Sequence, residues 1–204
     1  MSDSKKKTRR RVGSHHTRSP LAERGADLYE TPPEATQALL RVDPQLTWHY
    51  LNIWEPACGR GAITRVLENS KPRHAVHSSD LEDYDAGYIH GRDFLHETSA
   101  PVGTDAIVTN PPYKLAGEFA QHAIDLVPRV YLLLRLAMIE GERKKFRCFD
   151  DGSLRKIYVF KKRLPFMHRD GYTGKKNPAS GMAFGWFCWD RAHIGPTTIT
   201  RIDW

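Results

Sequence analysis

Three observations in the 204-residue sequence predict an α/β fold in which strands alternate with helices. The first is strand, glycine loop, helix: Tyr50 to Trp54 reads as a strand, and Glu55-Pro56-Ala57-Cys58-Gly59-Arg60-Gly61 as the loop. Ile63, Val66 and Leu67 follow at helical spacing, which is the layout of a nucleotide-type cofactor site. The second is the apolar run Ala106-Ile107-Val108, a buried strand broken by Asn110-Pro111-Pro112-Tyr113. Two prolines cannot extend a central strand, and Pro111 restricts Asn110 to extended geometry. A stiff loop therefore stands at a strand's carboxyl end, where open α/β sheets bind ligands. The third is that strand-length and helix-period segments continue to alternate beyond it.

Composition fits one domain of ordinary size, with 40% hydrophobic and 27% charged residues. No stretch approaches a membrane-spanning length, and the amino terminus has no apolar signal region. Cys58, Cys148 and Cys188 lack metal-ligand spacing, as do the ten histidines, so a reducing, cytoplasmic setting without a metal is expected. Residues 1–24 hold eight Lys/Arg against two Asp/Glu, so +6 of the total +7 charge sits there. This segment, with its Lys5-Lys6-Lys7 and Arg9-Arg10-Arg11 runs, is expected to be a disordered arm. It suits either non-specific contact with nucleic-acid phosphates or simple solubilisation. Residues 25–204 form the single expected domain.

From about Asp27 the elements follow in order. Thr31-Pro32-Pro33-Glu34 predicts a helix start, with Thr31 as cap and Pro44 closing the segment. Residues 74–79 predict a second strand ending at Asp80-Leu81, and Tyr88 to Leu95 a short third one with Asp93 at its edge. Helices are predicted over 115–127 and 137–147, and strands over 130–134, 157–160, 183–189 and 197–202.

The loops carry the chemistry. The Asn110 amide oxygen and the Pro111 carbonyl can both accept from an –NH2 group, turning its lone pair towards an electrophile. Tyr113 offers a ring to stack on a flat substrate. The same residues would also serve as a plain proline-rich turn. Gly59 and Gly61 let backbone approach a ligand, while Glu55 would repel a diphosphate and attract the ammonium of an amino-acid-like ligand. No Gly-Lys-Ser/Thr ending follows, so this is not a phosphate-binding loop. Asp80 lies near the position where doubly wound folds place a ribose-binding carboxylate. Asp93 could bind an adenine amino group while Leu81 or Phe94 covers the ring; a solvated loop acid is the alternative.

Taken in order, Glu55-Pro56-Ala57-Cys58-Gly59-Arg60-Gly61, Asp80, Asp93 and Asn110-Pro111-Pro112-Tyr113 resemble the class I S-adenosylmethionine-dependent methyltransferases of the Asn-Pro-Pro-Tyr type. Leu28-Tyr29-Glu30-Thr31-Pro32, Thr173 to Pro178 and Trp186-Phe187 narrow the resemblance to the small DNA adenine-N6 methyltransferases of phages and prophages. It covers residues 27 to about 190. It implies a Rossmann-like fold: a central, mostly parallel sheet with one antiparallel strand and helices on both faces. It also implies S-adenosylmethionine as cofactor, with Glu55, Ala57, Gly59 and Gly61 along the methionine moiety and Asp80 on the ribose. Asp93, with Leu81 and Phe94, would take the adenine, and Tyr29, Thr31 and Pro32 would help to close the pocket. Asn110, Pro111 and Pro112 would hold the target amino group beside the cofactor, with Tyr113 on a flipped base.

Enzymes of this type that read a defined site carry a sizeable recognition region, and none is evident here. The basic loop 161–182 is the one candidate, with Lys161, Lys162, Arg163, Arg169, Lys175 and Lys176 for phosphates. Its shortness predicts weak sequence specificity on DNA. An RNA methyltransferase, a cytosine-N4 enzyme, a protein-glutamine methyltransferase and a non-catalytic nucleic-acid-binding module remain as alternatives.

Overall fold

The computed structural model describes residues 28–49, 51–140, 146–165, 167 and 181–204. The arm at 1–24 and most of the loop at 161–182 lie outside them. Seven strands form one sheet: β1 (Asn52–Glu55), β2 (Ala75–Ser78), β3 (Ala106–Thr109), β4 (Arg129–Arg135), β5 (Leu154–Phe160), β6 (Phe184–Asp190) and β7 (Thr198–Ile202). Their order is β2-β1-β3-β4-β6-β5-β7. Strand β6 runs antiparallel to both of its neighbours, and every other pairing is parallel. The expected mostly parallel sheet with one antiparallel strand is present.

Helices α1 (Pro33–Val42), α2 (Pro44–Trp48) and α3 (Ala62–Glu68) precede β1 or link it to β2, and α4 (Ala116–Leu126) links β3 to β4. Side chains alternate across a pleated strand, so each strand feeds two cores. On one face Tyr131 and Leu133 of β4 and Trp186 of β6 pack with Leu39 of α1 and Ile63 and Leu67 of α3. On the other, Val130, Leu132, Phe187 and Trp189 pack with Phe119 and Ala123 of α4. A strand buried on both faces must be apolar throughout, which is why Val130 to Leu134 reads as an unbroken run. The buried indoles find acceptors: Trp186 Nε1 donates to the Ala35 carbonyl at 2.8 Å and Trp189 Nε1 to that of Cys148 at 2.7 Å.

Three expectations are corrected. The first helix starts one residue later, with Pro32 as its cap residue and no side-chain cap; Thr31 is engaged elsewhere. No third strand forms over Tyr88 to Leu95. A single parallel bridge joins Ser79 to Ile89, and a 3-10 turn then spans Phe94–His96, capped by the Asp93 carboxylate accepting from Leu95 N at 3.0 Å. Where a helix was expected over 137–147, the described residues form 3-10 turns at Leu136–Ile139 and Arg147–Phe149; residues 141–145 lie outside the description.

One buried carboxylate fastens α1 and α2 to the sheet. Asp43 caps α2 by accepting from Gln45 N at 3.1 Å. It also accepts from Tyr131 at 3.2 Å, Tyr158 at 3.1 Å and the Arg155 guanidinium at 2.6 Å. Burial first, and this carboxylate second, push both phenols up from their ordinary pKa. Removing one partner of a buried ion pair strands the other charge. Asp43→Ala is therefore expected to cost about 3–5 kcal/mol in urea denaturation, and Asp43→Asn, which keeps the cap but strands the Arg155 charge equally, nearly as much.

Candidate active site

Connections leave β1 towards β2 on one side, while β3 lies on the other, so the chain order reverses at β1. Such a reversal opens a crevice at the strands' carboxyl ends. Glu55 closes β1, Asp80 follows β2 by two residues, and Asn110 follows β3 directly. All three line one cleft of about 840 Å³, its open mouth included, together with Tyr29, Thr31 and Tyr113. Ala57, Leu81, Pro111 and Pro112 line it too.

The glycine loop is shaped by its own backbone. Gly59 (φ +53°) and Gly61 (φ +77°) are left-handed, and a Cβ on Gly59 would stand 2.5 Å from Leu28 Cδ1, while one on Gly61 would strike the Tyr88 hydroxyl. These glycines form the cleft's frame rather than its wall, and Pro32 likewise serves as the cap of α1. Gly59 N donates to Asp80 Oδ2 at 2.7 Å, and Glu82 N to Oδ1 at 3.0 Å. Each carboxylate oxygen has a second lone pair, so Asp80 is fixed in place with accepting capacity left for a pair of ligand hydroxyls.

Asp93 and Phe94 are not brought into the cleft. Asp93 is taken up by its turn and by His96 Nδ1 at 3.1 Å. Phe94 is only 3% exposed, packed edge-on to Trp54 at 5.2 Å and against Phe119 at 4.8 Å. The sequence missed Tyr84, which lines the cleft from within what reads as a solvated acidic turn. An aromatic residue four positions after Asp80 was the available signal.

At the other end, Asn110 Nδ2 donates to Thr31 Oγ1 at 3.1 Å and to the Tyr29 carbonyl at 3.4 Å. A carbonyl only accepts, so these partners fix the amide's orientation. Asn110 Oδ1 is consequently left buried with no hydrogen-bond partner. The ring of Tyr113 stacks on Tyr29 (centroids 5.4 Å apart, planes 28° apart), and the Arg135 guanidinium lies over it at 4.3 Å. Met167, from the late loop, brings its sulfur within 3.9 Å of both Asn110 Nδ2 and the Tyr113 hydroxyl. Met167 thus touches two residues of the cleft. Of the loop's basic residues, Lys161, Lys162 and Arg163 are exposed, with Lys161 paired to Asp203 at 2.7 Å, and Arg169, Lys175 and Lys176 fall outside the described residues.

Among the described residues no group of three or more His, Cys, Asp or Glu could hold a metal ion, and no helix is long and apolar enough to cross a membrane.

Glu55 is the electrostatic centre of the cleft. It is 1% exposed, and its Oε2 accepts from Thr64 Oγ1, which also meets Ser78 Oγ at 2.6 Å. Burial raises its pKa from 4.5 to about 8, against the opposing hydrogen bond from Thr64. In the unfolded chain it ionises at the ordinary value, so between the two the folded state holds a proton that the unfolded state lacks. Stability is then fully present at low pH and falls by about 1.4 kcal/mol per pH unit as pH rises towards 8. Glu55→Gln removes this term. The variant's stability advantage over the parent, measured by denaturation, should be small near pH 5 and largest at pH 8 to 9.

No family model matches the chain, and no curated protein matches it in sequence. Solved structures do match. A type I restriction-modification methyltransferase subunit from Streptococcus thermophilus superposes with a TM-score of 0.58 at 12% identity, over 86% of this chain and 47% of that one. The type ISP restriction-modification enzyme LlaGI, solved with a DNA substrate mimic, gives 0.55 at 13%, over 85% and 27%. A candidate RNA methyltransferase from Pyrococcus horikoshii gives 0.54 at 15%, over 82% and 87%. The chain thus spans about half the length of the Streptococcus subunit. At these identities the likeness is one of fold: the chain has the Rossmann-like architecture found in methyltransferases.

Proposed function

We propose that the chain is an S-adenosylmethionine-dependent methyltransferase acting on the exocyclic N6 amino group of adenine in DNA, with the base flipped out of its helix. The observation that carries this reading is Asn110. Its amide nitrogen is held by the segment at Tyr29 and Thr31, and its oxygen is buried without a donor, in the same cleft as Glu55 and Asp80. A buried acceptor left unpaired is costly, and an incoming –NH2 group satisfies it.

The set of acceptors in the cleft fits S-adenosylmethionine. Glu55 would hold its ammonium group, Asp80 its ribose hydroxyls, and Leu81 with Tyr84 its adenine. The cofactor supplies a methyl group on a sulfonium centre that departs as a neutral thioether. Asn110 Oδ1, with Pro111, would orient the target nitrogen so that its lone pair points at that methyl, and the nitrogen gives up one proton as the new N–C bond forms. A base stacked on Tyr113 would take the place now held by Tyr29. The basic loop would grip phosphates without reading a defined site, so specificity would be weak. Fold neighbours described as restriction-modification proteins, one of them solved with a DNA substrate mimic, support DNA as the substrate. The Pyrococcus neighbour, matched over most of its length, favours RNA as the second reading.

Tritiated S-adenosylmethionine offered with duplex DNA, RNA and protein extract separately, followed by nucleoside digestion, tests the reaction. Label in N6-methyladenine from DNA is expected, and Asn110→Ala should lower the rate about 100-fold or more. Label confined to RNA or protein would overturn the substrate. Cofactor affinity carries its own signature, because an ammonium binds the ionised form of Glu55. It should rise about tenfold per pH unit below pH 8 and level off above it, with a proton released on binding that calorimetry in two buffers detects.

A further inference from the structure

We propose that Arg135 holds a phosphate next to the flipped target nucleotide, a role that rests on the nucleic-acid reading above. Arg135 ends β4, which runs parallel to β3 with Leu132 opposite Thr109, so it stands at the same sheet edge as Asn110. Four other arginines face carboxylates, Arg92 with Glu97, Arg129 with Asp190, Arg147 with Asp125 and Arg155 with Asp43, while Arg41, Arg65 and Arg191 donate to backbone carbonyls. Arg135 faces none among the described residues. Its Nε is buried with no hydrogen-bond partner, and among the described residues its charge meets only the face of the Tyr113 ring.

That contact uses the cation against the ring's π face, and the N–H donors, which lie in the guanidinium plane, find no acceptor among the described residues. A donor fork carrying a full charge is matched by a planar or tetrahedral oxyanion rather than by a neutral base edge. The anion that a nucleic acid brings to a stacking tyrosine is the phosphate attached to the stacked nucleoside. Arg135 and Asn110 are then complementary: one buried donor without an acceptor and one buried acceptor without a donor, both beside the residue that stacks the base. Together they would grip a nucleotide by its phosphate and its amino group, at two points on either side of the sugar.

The test is a binding cycle with the full chain and a short oligonucleotide containing a single adenine. The phosphates on its 5′ and 3′ sides are replaced, one at a time, by uncharged methylphosphonate. Arg135→Gln is expected to weaken binding of the unmodified oligonucleotide about tenfold and to lower the slope of log K against log salt by nearly one. On the oligonucleotide lacking the correct phosphate, parent and variant should bind alike. Arg135→Lys should keep the parent's salt slope, and cofactor affinity should be unchanged in both variants, which separates a phosphate ligand from a structural brace for Tyr113. Equal weakening by Arg135→Gln on all three oligonucleotides, or an unchanged salt slope, would overturn the proposal while leaving the methyltransferase reading intact. Failure of the parent itself to bind any of them would remove the nucleic-acid reading and this inference with it.

Discussion

The parallel pairing of β1 between β2 and β3 is the constraint on which the cleft depends. In register, Glu55 of β1 lies opposite Ser78 of β2, and Trp54 opposite Ile107 of β3. Parallel strands in register end together, so the residues that leave them are delivered to one edge whatever lies between in sequence. Glu55 and Asn110, 55 positions apart, meet at one cleft for that reason. The loop bonds then tie the edge together: Ser79 N to the Glu55 carbonyl at 3.0 Å, Cys58 N to the Ser79 carbonyl at 3.1 Å, and Gly59 N to Asp80. A shift of β2 by a single residue would break all three.

Under the proposed function, Glu55 would place stability and ligand recognition in opposition. Seating a carboxylate at the base of the cleft is unfavourable for the folded chain at neutral pH, which is why burial holds its proton on. Thr64 and Ser78 make the site tolerable by supplying hydroxyls, without cancelling the burial. A cationic ligand would recover what the empty carboxylate lacks. Natural proteins concentrate such locally unfavourable groups at functional sites, and the contrast with Asp43 is instructive. Asp43 is just as buried, yet it has an arginine, two phenols and a backbone amide to satisfy it, and its work is structural.

Much of the fold was legible because its signals are local. Apolar runs bounded by Pro, Gly and Asn located β1, β3, β4 and β6, and Pro128 marked the end of α4 within two residues. The cleft residues Glu55, Asp80, Asn110 and Tyr113 were legible from their places at strand ends. Most failures came where distant partners decide. Thr31 has the pattern of a helix cap, but Asn110, 79 residues away, claims its hydroxyl. Tyr88 to Leu95 has strand-like residues, but Gly87 and Gly91 adopt left-handed geometry and Asp93 caps a turn instead. Phe94 reads as a ring free to cover a ligand, while Trp54 and Phe119 bury it. Asp43 was invisible as an anchor, because Tyr131, Tyr158 and Arg155 are 88 to 115 positions away.

The short segment from Leu28 to Thr31 touches both halves of the cleft at once. Leu28 lies on the glycine loop, the Tyr29 ring lies on Tyr113, and Tyr29 and Thr31 together hold the Asn110 amide. Four residues therefore share one position between two sites that different molecules would fill. Anything that fixes this segment over the glycine loop makes it harder to move off Tyr113, and anything that moves it off Tyr113 loosens it over the loop. By linkage the two effects are equal in free energy. The segment would thus act as a shared wedge, through which filling either end of the cleft biases the filling of the other by the same amount.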